Sequence, residues 1–247
     1  MNGQATIPEE SAAAPLRDVP ASVTQLVASA QAQHPLPRFI AVEGPIGAGK
    51  TSLARRLAES LRYGTLLEPV ADNPFLDRFY ADGRTQALPT QLFFLLHRVR
   101  QVTDLKADDL LGPNLVADFM IEKDELFARL TLEEAEYELY RQIQQSLHIE
   151  APAPDLVVYL QAPTEVLQRR IQSRGIRFEQ NIADDYLEAL VNAYTEFFHY
   201  YDDAPLLIVN ATEIDFVHND EHFEQLLAQL LHMEGTRQFF NPNPTLL

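Results

Sequence analysis

The sequence predicts an α/β fold in three layers, a five-stranded parallel sheet flanked by helices, and three observations carry that expectation. From residue 38 onward, short apolar runs alternate with longer helical patterns, the arrangement that closes into a mostly parallel sheet covered on both faces. A glycine-rich turn lies between the first apolar run and the first helical pattern. The chain of 247 residues is 46% apolar and 22% charged, which suits one large domain with a sizeable core. In chain order, the expected strands are 39–43, 65–68, 114–118, 156–160 and 206–209, and the expected helices are 50–61, 89–106, 132–148, 164–174, 184–200 and 220–231. The segment 132–148 carries Leu132, Ala135, Leu139, Ile143 and Leu147 at steps of three and four, one apolar stripe on a charged rod. That stripe suits packing onto the sheet or a contact between subunits. Residues 1–37 are rich in Ala, Gln, Pro and Ser and are expected to form a mobile arm outside the main fold, with 23–30 as a short helical stretch. The domain is expected over 38–235 and a tail over 236–247.

Composition removes several functions. With 36 acidic and 19 basic side chains the formal charge is −17, the wrong sign for coating nucleic acid. Without cysteine there is no disulfide framework and no thiolate metal or redox site. No stretch approaches the roughly 20 apolar residues of a membrane span, and residues 1–37 lack the pattern of a secretory signal, so the expected compartment is the cytoplasm.

The strongest local signal is Gly44-Pro45-Ile46-Gly47-Ala48-Gly49-Lys50-Thr51, the eight-residue P-loop pattern, placed after an apolar strand and before a helix as the mechanism requires. Glycines let successive N–H groups turn inward to phosphate oxygens, the helix N-terminus adds positive potential, Lys50 reaches the β- and γ-phosphates and the Thr51 hydroxyl holds Mg²⁺. Gly44, Gly47, Ala48, Gly49, Lys50, Thr51 and the adjoining Ser52 are therefore expected to bind ATP. No Asn-Lys-x-Asp sequence follows, which counts against a regulatory GTPase. Glu68 ends the second expected strand, at the sheet edge where open α/β folds bind ligands. An alcohol acceptor must lose a proton, and a carboxylate there can take it. Asp118 ends the third strand and can orient Mg²⁺ through water, so Thr51, Glu68 and Asp118 form the expected metal site. A phosphate acceptor would call for arginine clamps instead, as in nucleoside monophosphate kinases.

With these residues in order, the chain from about residue 38 to 217 resembles the deoxynucleoside kinase family. Glu68-Pro69-Val70 is similar to the segment whose Glu deprotonates the sugar 5′-hydroxyl. Asn73-Pro74-Phe75-Leu76 with Phe79-Tyr80 resembles the segment whose Tyr contacts the 3′-hydroxyl, a role the resemblance gives to Tyr80. Gln91, Arg98 and Asp124 fall at the spacing of the family's base-reading trio, with Gln91 and Arg98 two turns apart on one helix face. An amide with a mutually fixed Arg and Asp favours adenine, guanine or cytosine over thymine. Phe127 matches an aromatic against which the base packs. Residues 170–182 resemble the mobile lid over the donor phosphates: Arg170 and Arg174, at i and i+4, would neutralise the transferring group, and Glu179 would contact the 3′-hydroxyl.

Two positions depart from the family pattern, both in positive charge. Where an Arg usually follows the third-strand carboxylate, the chain has Phe119, and where the lid usually reads Arg-Gly-Arg, it reads Arg174-Gly175-Ile176 with Arg177 one place later. Losing a charge that faces phosphate costs several kcal/mol of transition-state stabilisation, roughly 3–4 for a single donor, so Lys123 and Arg177 are the expected replacements. The resemblance implies an ATP- and Mg²⁺-dependent kinase of a purine deoxynucleoside or deoxycytidine, with no nucleic-acid or membrane partner, working as a homodimer whose interface includes 132–148. A nucleoside monophosphate kinase and a non-catalytic nucleotide-binding relative are the competing readings.

Overall fold

The computed structural model describes residues 19–108, 114–149 and 151–242; residues 1–18 of the expected arm and 243–247 of the expected tail lie outside them. Six parallel strands form one sheet in the order β2-β3-β1-β4-β5-β6: β1 Phe39–Glu43, β2 Gly64–Leu66, β3 Leu115–Ala117, β4 Leu156–Gln161, β5 Leu206–Asn210 and β6 Arg237–Phe240. Five are the expected ones. The sixth, β6, pairs with β5 in register Leu206 to Arg237 through Val209 to Phe240, so the tail is partly a sheet edge. Its residues alternate exposed and half-buried, and so lack the continuous apolar run by which the central strands announce themselves.

The helices are α1 Ala21–Gln33, α2 Lys50–Leu61, α3 Leu76–Asp82, α4 Ala87–Asp108, α5 Lys123–Thr131, α6 Glu134–Ser146, α7 Thr164–Arg174, α8 Asp184–Tyr200 and α9 Asp220–Leu231. Contrary to the expected arm, α1 belongs to the core: Val23 and Ala30 are fully buried and Val27 nearly so, and the helix packs on α9 and α2. Three small side chains one and two turns apart make a seam that the weak contrast between the helix faces hides. The stripe expected on 132–148 also lands differently. Leu132 is extended and Glu133 caps α6 through a capping box with Glu136, and it is Tyr137 and Tyr140 that are buried. They pack with Leu95 of α4 and Ala128 of α5, so α6 covers other helices rather than the sheet.

The strand order sets up the site. Because every pairing is parallel, all strands end at the same sheet edge, and β2, β3 and β1 are neighbours there. Glu68, Asp118 and Glu43, at or just beyond the ends of those three strands, are thereby brought side by side.

Candidate active site

The loop between β1 and α2 is held in a conformation that side chains would block. Gly47 and Gly49 have φ of +84° and +98°, and a Cβ on Gly47 would lie 2.9 Å from the Leu167 carbonyl oxygen, so glycine is required there. Lys50, first residue of α2, donates to the carbonyls of Gly44 at 2.7 Å and Pro45 at 3.3 Å. Burial and then repulsion from Lys123 lower its ammonium to about 8, against the attraction of Glu43, Glu68 and Asp118. The Thr51 hydroxyl donates to Asp118 Oδ2 at 2.5 Å, while Asp118 Oδ1 accepts the Glu68 backbone N–H at 2.8 Å.

These groups open on a cleft of about 750 Å³, within the size range of small-molecule sites. Gly47, Gly49, Lys50, Thr51, Ser52, Glu68, Tyr80, Gln91, Arg98, Asp118, Phe127, Arg174 and Glu179 all line it. The expected donor, base, sugar and lid positions therefore share one cavity. Glu68 is the meeting point. Its Oε1 pairs with Arg98 and its Oε2 lies 3.6 Å from Lys123 Nζ. Burial alone would raise its carboxyl, but Arg98, Lys123 and Lys50 outweigh that and hold it at about 2. Both oxygens face cations, which leaves Thr51 and Asp118 as the oxygen donors at the loop.

Of the three residues expected to read the base, two pair with each other and the third lies further along the helix of one of them. Arg98, buried on α4, pairs with the buried Asp124 of α5, and Gln91, two turns earlier, is buried with its Nε2 donating to Thr131 Oγ1 at 3.2 Å. Phe127 stands edge-on to Tyr194 with ring centres 6.1 Å apart. Tyr80 stacks on Phe178 with ring centres 6.3 Å apart; burial first, then the nearby Tyr186, Glu179 and Glu68, keep its phenol well above its usual value. Glu179 is buried and pairs with Arg174 of the lid, with Arg174 Nε 3.1 Å from Oε2.

Three further positive charges are expected at the phosphates. Arg170 donates to the carbonyls of Ala211 at 2.6 Å and Ile214 at 3.4 Å, and among the described residues it is not part of the cleft lining. Arg177 is exposed, and the residues of 170–182 facing the cleft are Arg174, Ile176, Phe178 and Glu179. Lys123 does line the cleft, but its Nζ lies between Glu43 Oε1, at 3.5 Å, and Glu68. Phe119 is buried with its ring 5.7 Å from the Arg98 guanidinium, an apolar support for Arg98 rather than a cleft residue. Gly44 and Ala48 shape the loop from behind and are buried.

Glu43 was not singled out by motif reasoning. It is fully buried and accepts from Met120 N at 2.6 Å, Tyr194 Oη at 3.1 Å and Gly44 N at 3.2 Å. A carboxylate ending an otherwise apolar strand is the signal that marks it, because such a charge persists only when paired and hydrogen-bonded.

A P-loop and an ionised carboxylate facing one nucleoside-sized cleft define a small-molecule phosphotransferase. The chain matches the family described as deoxynucleoside kinase over residues 40–233, and it belongs to that family, whose members phosphorylate nucleoside hydroxyl groups. It is 37% identical over 198 residues to a deoxyguanosine kinase of Bacillus subtilis (strain 168), covering 78% of this chain and 95% of that one. It is 29% identical over 207 residues to a deoxyadenosine kinase of Lactobacillus acidophilus (strain ATCC 700396 / NCK56 / N2 / NCFM), covering 78% and 94%. Among solved structures, the deoxyadenosine kinase from M. mycoides with bound dATP superposes with a TM-score of 0.68 at 27% identity, over 78% of this chain and 98% of that one.

Proposed function

We propose that the protein transfers the γ-phosphate of ATP to the 5′-hydroxyl of a purine deoxynucleoside or deoxycytidine, yielding the 5′-monophosphate for nucleotide salvage. The observation that carries this reading is that Glu68, kept ionised by its cationic neighbours, faces the same cleft as Lys50. The trio Gln91, Arg98 and Asp124 supports a base with mixed donor and acceptor edges, and the relatives are named for deoxyguanosine and deoxyadenosine. Tyr80 and Glu179, which line the same cleft, are assigned to the sugar 3′-hydroxyl in this reading.

The donor set also fits Mg²⁺. The Thr51 hydroxyl and Asp118 carboxylate are hard oxygen donors in mutual contact beside the loop. Phosphate oxygens and water would complete the shell of an ion held there. When bound, the ion would offset charge on the triphosphate. Lys50 and Arg174 bind and orient the phosphates, the base trio places the sugar hydroxyl in line, and Glu68 Oε2 takes its proton. A carboxylate held near 2 is a weak base. The loose transition state of phosphoryl transfer asks little of it until the new P–O bond is forming, so positioning does most of the work.

Lys123 serves this site by bridging Glu68 and Glu43 and offsetting their mutual repulsion. Exposed Leu96 of α4 and Leu139 of α6, 50% and 47% accessible on two helices that pack together, support a homodimer through this face. A cytoplasmic site of action fits a cysteine-free, ATP-using enzyme in which no helix among the described residues is long and apolar enough to cross a membrane. The test is a coupled ADP assay in which four deoxynucleosides and their monophosphates are offered separately. Deoxynucleosides should turn over and monophosphates should not; the reverse pattern identifies a nucleoside monophosphate kinase, and ATP binding with no acceptor-dependent ADP release identifies a non-catalytic relative.

A further inference from the structure

Behind the cleft wall, α4 and α5 run in opposite directions, so that Arg98 meets Asp124 at one end of the contact and Gln91 meets Thr131 at the other. Thr131 is the last residue of α5, and its hydroxyl has a fixed assignment. It donates to the Phe127 carbonyl at 2.8 Å, the back-bond common for threonine on a helix. With its single proton committed, the oxygen can only accept. The Gln91 atom facing it at 3.2 Å must therefore be the amide nitrogen, and Gln91 Oε1 is turned away from Thr131. Side-chain amides often have no preferred sense, because O and N are nearly the same size. Here the partner dictates it.

We propose that Thr131 is a specificity-determining positioning residue: by fixing the sense of the Gln91 amide, it makes the enzyme discriminate purines by the group at C6. This rests on the proposed pairing of Gln91 with the base edge. On that edge a 6-amino purine presents an N–H donor beside the N1 acceptor, whereas a 6-oxo purine presents an oxygen acceptor beside an N1–H donor. In one common pose the two patterns need opposite amide senses. The opposite sense can be reached only if Thr131 gives up one of its two hydrogen bonds, so the mismatched class loses about the value of one neutral hydrogen bond, a few-fold to roughly tenfold in kcat/KM. Thr131 does not line the cleft, so it acts through Gln91.

The test compares kcat/KM for deoxyguanosine and deoxyinosine, both 6-oxo, with deoxyadenosine, 6-amino, in the wild type, Thr131→Val and Thr131→Ser. The wild type should group deoxyinosine with deoxyguanosine, Thr131→Val should move the 6-oxo to 6-amino ratio toward unity by a few-fold to about tenfold, and Thr131→Ser, which keeps the hydroxyl, should retain the wild-type ratio. A general structural defect would lower all three rates and leave the ratio alone. A wild-type ratio near unity, deoxyinosine grouping with deoxyadenosine, or an unchanged ratio in Thr131→Val overturns the inference while the kinase reading stands. No turnover of any deoxynucleoside by the wild type would overturn the kinase reading itself.

Discussion

The guanidinium of Arg98 pairs with Glu68 through one terminal nitrogen and with Asp124 through the other. Arg98 is buried at 3% exposure and flanked by the rings of Phe94 and Phe119 at 5.5 and 5.7 Å. In the proposed mechanism base recognition and proton transfer share this side chain, so that a base seated against Asp124 would steady the cation that orients Glu68.

Asp124→Asn is therefore expected to lower kcat as well as raise the nucleoside KM. Weakening one charged hydrogen bond should reduce kcat/KM for the deoxynucleoside by about ten- to a hundredfold, with the KM for ATP unchanged. Steady-state kinetics in both substrates would check this, and an effect confined to the nucleoside KM would separate the two functions of Arg98.

Arg98→Met is expected to do more damage to the fold. It leaves Asp124 buried without its ion-pair partner, a change that typically costs ~3–5 kcal/mol. Urea unfolding would show a lower midpoint. An unaltered midpoint would mean that Asp124 has found another partner.

Lys50 gives the alkaline limb. Its ammonium is lowered to about 8 by burial first and by Lys123 second, so kcat/KM for ATP should fall as pH rises through about 8 and Lys50 loses the charge that meets the phosphates. The linked stability runs the other way: between that value and the ordinary lysine range the folded chain holds fewer protons than the unfolded chain, so this group's contribution rises with pH. Lys123→Met removes the second cause and should move the activity limb upward. A limb that stays near 8 in that variant would detach Lys123 from Lys50.

Glu68 gives no matching acid limb in the usual carboxylate range. Because its folded value lies near 2, below that of an unfolded chain, its stability contribution is complete above the ordinary glutamate pKa and is lost as pH falls through about 2. Rates measured from pH 5 to 7 should show no titration of a general base. Lys123→Met, which removes one of the charges holding Glu68 down, should bring its acid limb toward higher pH.

Much of this was readable from sequence, and the failures have identifiable causes. The P-loop was legible because its glycines, Lys50 and Thr51 are dictated by phosphate geometry and leave a fixed pattern. The four inner strands β1, β3, β4 and β5 were legible because burial leaves continuous apolar runs; β2 is a largely exposed edge. A short helix over 23–30 was legible but its place in the core was not, since Val23, Val27 and Ala30 form a narrow seam with little contrast to the rest of the segment; β6 was missed because it is an edge with alternating exposure. Charge placement was the least legible: spacing puts Arg170 and Arg174 on one helix face, but the carbonyls of Ala211 and Ile214 decide where Arg170 points. Spacing likewise brings Lys123 to the cleft but does not foretell its pairing there with Glu43 and Glu68.

The central claim is that Glu68 accepts the proton of the sugar alcohol. Its most direct test is Glu68→Gln, which keeps the size of the side chain and its contact with Arg98 while removing the basic oxygen, assayed for deoxynucleoside-dependent ADP release alongside ATP binding. The expected result is a loss of about 10²–10⁴ in turnover with ATP affinity nearly intact; turnover close to that of the wild type would contradict the mechanism.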